Sequence, residues 1–527
     1  MHHKGIIMKL INKVLNILNI ISIENDVVVL KYPKHYLIYY LTPRVKRSIR
    51  IMKRFQKRRG LAPRYYQRSC QSKLEITKVE TTNDTLTGRG GLALLGRYLE
   101  KTGILRILEN KFGHLRKSSK GLPVDALFKQ IISFIFDGTS RHLTYFDELK
   151  KEKGYAAAIE TKPSDMASSH TIKRFFNKFG LWCGQPFRSI LHQLFIRRLK
   201  IENPEEIELY IDTMVMDNDD ALKRQGVQLT YKKKKGFQPL QIIWNGKIVD
   251  GIFRGGKKNG NSGDTVVNMV KGLVYLIRLK YRKDVTVILR CDSGFSDQKN
   301  FAAFDDLNIA FISSGKMYEG VKTAVKNVPE SSWNEYDNGH QKWNFTEFGF
   351  RCDSWDRFYR AVYTRPFYEG KQMLLDFERP DNVILTNIGM NAKALEFCTP
   401  DRRKHWQDCK TLINSYHRCG ADELAHRGFK DFGSEQLPFK KFWPDMALYY
   451  CMLISFFLFE TFKEDVLEVV IPITSYAETV RRKFIDIAAK IVKTGRMVIL
   501  KVHQSVADAL KINLLWEKCQ NPPPILS

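Results

Sequence analysis

The sequence predicts an α/β protein, with a mixed β-sheet, flanking helices and a β-rich insertion, preceded by an all-helical segment. Three patterns predict this class. Apolar residues recur at helical spacing from residue 86 to about residue 199, and strand-type runs alternate with helical runs from residue 207 to residue 315. Aromatic, strand-rich sequence then continues to residue 388. Hairpins first and a crossover helix afterwards indicate a mixed sheet with helices packed against it.

Length and charge limit the class of protein. The 527 residues are too many for one ordinary domain, and a formal net charge of +30 indicates a polyanionic partner. Nucleic acid is the first candidate and an anionic membrane surface the second. The apolar run at residues 448–459 is too short to span a bilayer, and no export signal is recognisable, so we expect a cytoplasmic protein without a membrane partner. Nine cysteines without a C-x-x-C pair argue against a structural zinc site.

Changes in composition divide the chain into six segments. These are a basic N-terminal arm (residues 1–85), a helical DNA-binding domain (86–200), the first part of a sheet domain (201–317), a β-rich insertion (318–395), the second part of the sheet domain (396–470) and a C-terminal helical region (471–527). The dense basic run at residues 44–59 predicts either a solvated, partly disordered arm or an arm that grips DNA.

A short basic helix is predicted in residues 168–182 of the helical segment. Ser168 or Ser169 is a suitable N-cap, and Arg174 is one of several basic residues around the apolar face. That apolar face consists of Ile172, Phe175 and Phe176. The pattern fits a helix-turn-helix-like DNA reader or an ordinary surface helix.

Two aspartates lie at the ends of predicted strands. Asp212 ends the first strand, and Asp292 ends the fourth, in the stretch "VTVILRCDSGF". Asn245 and Gly246 predict a hairpin turn between the second and third strands. If the first and fourth strands are neighbours, both carboxylates lie at the same sheet edge, as in an RNase H-like sheet. Taken alone, Asp292 also fits an ordinary turn residue.

Glu423 is the candidate for a third carboxylate, from a helix packed on that edge. Tyr416, Glu423 and Lys430 are seven residues apart, which places them on about one helix face. Gly420 and Gly428 argue against one unbroken helix. Three converging carboxylates suit two divalent ions, Mg²⁺ or Mn²⁺, which prefer hard oxygen ligands and perform phosphodiester chemistry. A solvated helix acid is the alternative for Glu423 alone.

"YIDT" with Asp212, "LRCDSGF" with Asp292, and the Tyr416, Glu423 and Lys430 spacing resemble the DDE transposases of bacterial insertion sequences. More narrowly, they resemble the subgroup with a β insertion between the second aspartate and the glutamate, over residues 86–470. The chain departs from that pattern at one position, because Cys419 stands where the signature helix has an arginine. Arg418 precedes it and is the candidate substitute.

The resemblance implies an enzyme that binds the terminal inverted repeats of a mobile element, cleaves a strand at each end and joins that end to target DNA. Asp212 would bridge two Mg²⁺ ions, and Asp292 and Glu423 would each complete one metal site. It also implies a homodimer in the DNA complex and a bacterial, nucleoid-associated location. The alternatives are a catalytically inactive transposase-derived DNA-binding protein and another RNase H-like nuclease.

Further DNA contacts are predicted around these acids. Tyr416 and Lys430 would hold a phosphate near the cut, as the resemblance implies. The lysine loop, defined as Lys232, Lys233, Lys234 and Lys235, would follow the DNA backbone or form a solvated surface. In relatives an aromatic residue of the insertion stacks on a flipped base, and core packing is the alternative for the three tryptophans there. These are Trp333, Trp343 and Trp355.

Overall fold

The computed structural model describes residues 20–24, 27–31, 36–40, 76, 78–220, 223–258, 260–339, 341–367 and 381–524. The chain forms two compact units, residues 1–83 and residues 84–527. In the first unit, strands β1 (Ile20–Glu24), β2 (Val27–Lys31) and β3 (Tyr36–Tyr40) form an antiparallel sheet in chain order. The basic run at residues 44–59 lies outside the described residues.

The second unit begins with a short strand and then seven helices. They are β4 (Thr85–Thr87), α1 (Gly91–Thr102), α2 (Ile104–Phe112), α3 (Val124–Asp137), α4 (Phe146–Leu149), α5 (Lys153–Ala158), α6 (Ser169–Phe176) and α7 (Gly184–Glu202). Gly103 and Gly138 end α1 and α3 at φ of 80° and 61°, a conformation that favours glycine. The Ser168 side chain caps α6 by accepting from the Thr171 backbone N–H, as the sequence predicts. The apolar face of α6 is buried, whereas Arg174 is exposed.

A nine-stranded mixed sheet forms the centre of this unit. Its first strands are β5 (Glu206–Thr213), β9 (Leu240–Trp244), β10 (Lys247–Ile252), β11 (Thr286–Cys291) and β12 (Ala310–Ser314). Between β5 and β9, the short strands β6 (Met216–Asp217), β7 (Gln228–Leu229) and β8 (Lys235–Phe237) form a separate small sheet. Helices α8 (Thr265–Lys280) and α9 (Gln298–Asp306) connect the later strands. This mixed α/β architecture confirms the predicted class.

The strand order brings the first and fourth predicted strands together. The sheet runs β10-β9-β5-β11-β12 and continues beyond β12. Strand β5 is parallel to β11 and antiparallel to β9, and β11 is parallel to β12. Asn245 and Gly246 form the predicted hairpin turn, both at positive φ.

The β-rich segment extends this same sheet. After α10 (Glu319–Lys326) come β13 (Asn334–Asp337), β14 (Lys342–Phe350), β15 (Tyr359–Pro366) and β16 (Asn382–Thr386). Strand β16 pairs with β12, and β15, β14 and β13 follow outward, all antiparallel. The insertion therefore shares the backbone hydrogen bonds of the central sheet.

The predicted helix with Tyr416, Glu423 and Lys430 is interrupted. After α11 (Pro400–Gln407), helix α12 (Cys409–His417) ends and α13 (Cys419–Phe432) begins, with Arg418 between them. Tyr416 therefore lies on a different helix from Glu423 and Lys430. Gly420 lies directly after the break, and its low helix propensity is the physical reason that a single continuous helix is not favoured there.

Helix α14 (Phe442–Asp465) is the central helix of the unit and packs against α3, α7 and β10. In the described part of the chain, it alone is long and apolar enough to cross a membrane, and 89% of its most apolar window is buried inside the protein. That burial is typical of a core helix.

The C-terminal region contains α15 (Ala477–Val480), β17 (Ala489–Thr494), β18 (Met497–Val502), α16 (Gln504–Ala509) and α17 (Ile512–Gln520). Strand β17 pairs with both β18 and β4, which joins the end of the unit to its beginning. The prediction of a helical region did not include this hairpin. Gly495, at φ of 60°, forms its turn.

Candidate active site

Asp212 and Asp292 lie side by side at one edge of the central sheet. Asp212 is on β5, and Asp292 follows β11, whose last residue pairs with Ile211. The Thr213 backbone N–H donates to Asp212 Oδ1 at 2.6 Å, and the Gly294 N–H donates to Asp292 Oδ1 at 2.9 Å. Each carboxylate is thus oriented by its own backbone.

Glu423 completes the group from the first turns of α13. Burial raises the pKa of Asp212 to about 7, and the negative charges of Asp292 and Glu423 add to this effect. Burial also raises the pKa of Asp292, again with a contribution from Glu423. The three predicted acids therefore interact electrostatically, and of the three residues Asp212 is half-buried while Asp292 and Glu423 are exposed.

His426 is the nearest basic group to Asp212 and was missed by sequence reasoning. Its Nδ1 lies 3.6 Å from Asp212 Oδ2. Burial, together with the charges of Lys430 and Lys232, lowers the pKa of His426 to about 4, so the imidazole is neutral at pH 7. The sequence offered one indication of its role: His426 is three residues after Glu423, and residues three apart are neighbours on a helix surface. The neutral imidazole therefore does not offset the repulsion among the carboxylates.

The family described as Transposase DDE domain group 1 matches residues 71–523. The chain belongs to this family of DDE transposases. No curated protein matches the chain. A solved structure, the cryo-EM piggyBac transposase synaptic complex with hairpin DNA, has a TM-score of 0.40 and 12% sequence identity to it. That likeness covers 84% of this chain and 85% of the other.

The lysine loop of this DDE transposase connects β7 to β8 beside the carboxylates. Tyr231, which precedes the loop, has its pKa raised by burial and by the charges of all three acids. Lys232 lies 5.6 Å from the Tyr231 ring centroid, and its charge acts on His426. Lys234 pairs with Asp217 at 2.6 Å. The predicted loop is therefore at the mouth of the carboxylate site, and its contact with DNA stays a prediction.

The other predicted helix residues are separated by the break between α12 and α13. Tyr416 is half-buried, and its hydroxyl donates to Ser314 Oγ at 3.4 Å. Arg418 is 59% exposed, with Nη1 3.8 Å from Glu208 Oε2. Lys430 lies on α13 and pairs with Glu435 at 3.0 Å. Of these three, Lys430 is the one whose charge reaches the groups beside Asp212.

Trp343 and Trp355 are core residues of the transposase, which is the alternative that the sequence left open. Trp343 is 4% exposed and packs on Tyr336 and His417. Trp355 is 6% exposed and packs against Phe301 and Tyr359. Trp333 is only partly buried, with the Arg365 guanidinium 4.5 Å from its ring centroid.

The donor set at the site fits divalent cations. Within the described residues, no group of three or more His, Cys, Asp or Glu side chains is arranged to hold a single ion. Mg²⁺ is usually held by one or two protein carboxylates together with waters, and the three carboxylates here could supply that number. Burial first, and then the charges of Asp292 and Glu423, raise the pKa of Asp212, and bound cations would favour its ionised form.

A buried arginine beneath the site was also missed by sequence reasoning. Arg290 is on β11 and is 4% exposed. Its Nη1 is 2.7 Å from Asp422 Oδ2 and donates to the Ser415 carbonyl at 3.3 Å, and its Nε is 3.8 Å from Glu208 Oε2. One feature of the sequence pointed to Arg290: side chains alternate between the two faces of a strand, so Arg290, two residues before Asp292, lies on the same face as Asp292.

Proposed function

We propose that this DDE transposase binds the terminal inverted repeats of a mobile element and catalyses metal-dependent DNA strand cleavage and strand transfer. The convergence of Asp212, Asp292 and Glu423 carries the proposal. Burial and the neighbouring carboxylates raise the pKa of Asp212 and of Asp292, so their ionised forms are costly without cations, and this arrangement suits two-ion phosphodiester chemistry.

The carboxylates would share two Mg²⁺ or Mn²⁺ ions, with Asp212 common to both and Asp292 and Glu423 each completing one site. When bound, the ions would activate a water or the DNA 3′-OH as the nucleophile and would stabilise the leaving oxygen. The chain's own part is to orient the oxygens. The N–H groups of Thr213 and Gly294 hold one oxygen of each aspartate and leave the other for a cation.

His426 keeps the environment of Asp212 free of permanent positive charge. Because the imidazole is buried and neutral, it contacts Asp212 without replacing a cation at the carboxylate. A protonated side chain at the same place would compete directly with a metal ion.

Basic surface formed by the lysine loop and by a neighbouring groove supports DNA as the partner. The lysine loop lies beside the carboxylates. Near that loop, a groove of about 610 Å³ between α6 and the segment after α13 is lined by Lys173, Arg141 and Arg224, and also by Asp217 and Glu435, which pair with Lys234 and Lys430. In a chain of net charge +30, such a groove suits a phosphate backbone that passes from the helical segment towards the carboxylates.

The finer classification follows from the same features. Strand order β10-β9-β5-β11-β12, with β5, β11 and β12 parallel, supports an RNase H-like catalytic core. The β strands between Asp292 and Glu423 support the insertion-sequence subgroup that has a β insertion. We extend the proposal to a homodimer on DNA in the bacterial cytoplasm, associated with the nucleoid.

The test is cleavage of DNA that carries the element's own ends, with Mg²⁺, by the wild type and Asp292→Asn. We expect wild-type cleavage at the ends, and loss of cleavage in the variant with end binding kept within a few-fold. Asp306→Asn, at an exposed position of the same domain, is the control and should cleave normally.

Two results would replace the proposal by an alternative. End binding without cleavage in Mg²⁺ or Mn²⁺ would identify a catalytically inactive DNA-binding protein. Cleavage of branched DNA without regard to the ends would identify another RNase H-like nuclease.

A further inference from the structure

Arg290 connects the strand of Asp292 to the helices that present Glu423. It lies two residues before Asp292, on the same face of the strand. Its guanidinium lies 2.7 Å from the carboxylate of Asp422, the residue before Glu423, and donates to the Ser415 carbonyl at 3.3 Å. One buried side chain thus contacts both helices at their junction.

These two contacts lie on opposite sides of the helix break at Arg418. Ser415 is in the last turn of α12, where backbone carbonyls lack partners within the helix and favour a cation. Asp422 is in the first turn of α13, where a carboxylate is favoured. A guanidinium is a planar fork with several donors, so it can serve both groups at once.

We propose that Arg290 is a positioning residue that fixes Glu423 relative to Asp292 by clamping the α12–α13 junction to β11. This inference rests on the proposed function, in which both carboxylates hold metal ions. Strand β11 is a rigid support because it is hydrogen-bonded on both sides, to β5 and β12. Glu423, by contrast, is exposed on a helix that starts beside a glycine. Its orientation therefore depends on contacts such as that of its neighbour Asp422.

Arg418 is the other arginine near this junction and is a weaker candidate for the clamp. It is 59% exposed, and its contact to Glu208 is 3.8 Å long. Arg290 is 4% exposed and reaches both sides of the break.

The test is Mn²⁺ binding by the metal-free protein, measured by electron paramagnetic resonance of free Mn²⁺. Residues that orient metal ligands change metal affinity by about 10–100-fold when replaced. We expect Arg290→Gln, and the double variant Arg290→Gln/Asp422→Asn, to bind at least about tenfold more weakly. Arg290→Lys should be intermediate, because an ammonium keeps the charge and loses the fork.

Arg360→Gln is the matched control. Arg360 is 14% exposed, pairs with Glu347 at 2.7 Å and donates to the Gln407 carbonyl at 2.8 Å. It therefore anchors the end of α11 and, through a 3.2 Å contact to Cys409 Sγ, the first residue of α12 to β15. We expect its Mn²⁺ affinity to stay within about twofold of wild type. Amide hydrogen exchange in residues 419–432 should accelerate in Arg290→Gln and not in this control.

Wild-type Mn²⁺ affinity and unchanged exchange in Arg290→Gln would overturn the clamp. If Arg290→Gln fails to fold by circular dichroism, full affinity in Arg290→Lys overturns it equally. Asp292→Asn separates this outcome from failure of the proposed function. If the wild type binds Mn²⁺ no better than Asp292→Asn, the metal site itself is refuted, and the exchange measurement alone then decides whether the clamp exists.

Discussion

Asp212→Asn should make the metal-free protein more stable above neutral pH while it abolishes DNA cleavage. The wild-type carboxylate is buried beside Asp292 and Glu423, and both negative charges oppose its ionisation. An asparagine of nearly the same shape removes one of the three charges and keeps an oxygen that can accept from the Thr213 N–H. The active site would thus lose function and gain stability, a common trade-off.

The magnitude follows from the pKa of Asp212. Folding raises it from 3.8 to about 7, and about three units correspond to roughly 4 kcal/mol. The unfolded chain loses this proton first, so the penalty is absent below about pH 4, grows between about pH 4 and pH 7, and is constant above that range. The stabilisation by Asp212→Asn should follow the same course, up to roughly 4 kcal/mol.

Urea unfolding in a chelator, at several values between pH 4 and pH 8, measures the difference. Asp306→Asn is the control, because its exposed carboxylate should show no comparable pH-dependent gain. Excess Mg²⁺ should stabilise the wild type and not Asp212→Asn. A variant that is no more stable than wild type at pH 8, or equally stabilised at pH 4 and pH 8, would refute the electrostatic reasoning.

Three further outcomes test the DNA-contacting surfaces and the core. Replacing residues 232–235 by alanine should weaken binding to DNA ends and flatten its log–log dependence on salt, because fewer counterions are released; an unchanged slope would make the loop a solvated surface. Lys430→Ala should impair cleavage and end binding more than Arg418→Ala, since the charge of Lys430 acts on His426 beside Asp212, whereas Arg418 is 59% exposed. Filter binding and single-turnover cleavage would show the reverse if Arg418 carries the contact. Trp343→Ala should lower the free energy of unfolding by about 3–5 kcal/mol through loss of core packing. Trp333→Ala should cost less because its ring is only partly buried; equal losses in chemical denaturation would contradict that packing.

The alternation of residues along the chain predicted the central strands well. Val285 to Leu289 forms most of a fully buried strand, and Asn245-Gly246 forms a hairpin turn at positive φ. These features are local, because strand and turn preferences act over a few residues. The side-by-side placement of Asp212 and Asp292 followed once the order of strands was assumed.

The helix with Glu423 was predicted less well. Seven-residue spacing placed Tyr416, Glu423 and Lys430 on one face, but the helix breaks at Arg418 and leaves Tyr416 on α12. Residue spacing predicts which residues share a helix face only if the helix is continuous. Gly420, just after the break, was the local indication of an interruption. The contacts of Arg290 with both helices could not be predicted from the sequence of the helices alone.

The sequence by itself determined the central strands, the acids at the strand ends and the basic character of the chain. Only the tertiary structure decided which residues meet across long separations. Arg290 contacts the carbonyl of Ser415, 125 residues away, and His426 lies against Asp212. Trp343 became a core residue because β13 and β14 extend the central sheet. The physical reason is that periodicity shows which face of an element is apolar, whereas the group packed opposite it depends on the register and order of distant segments.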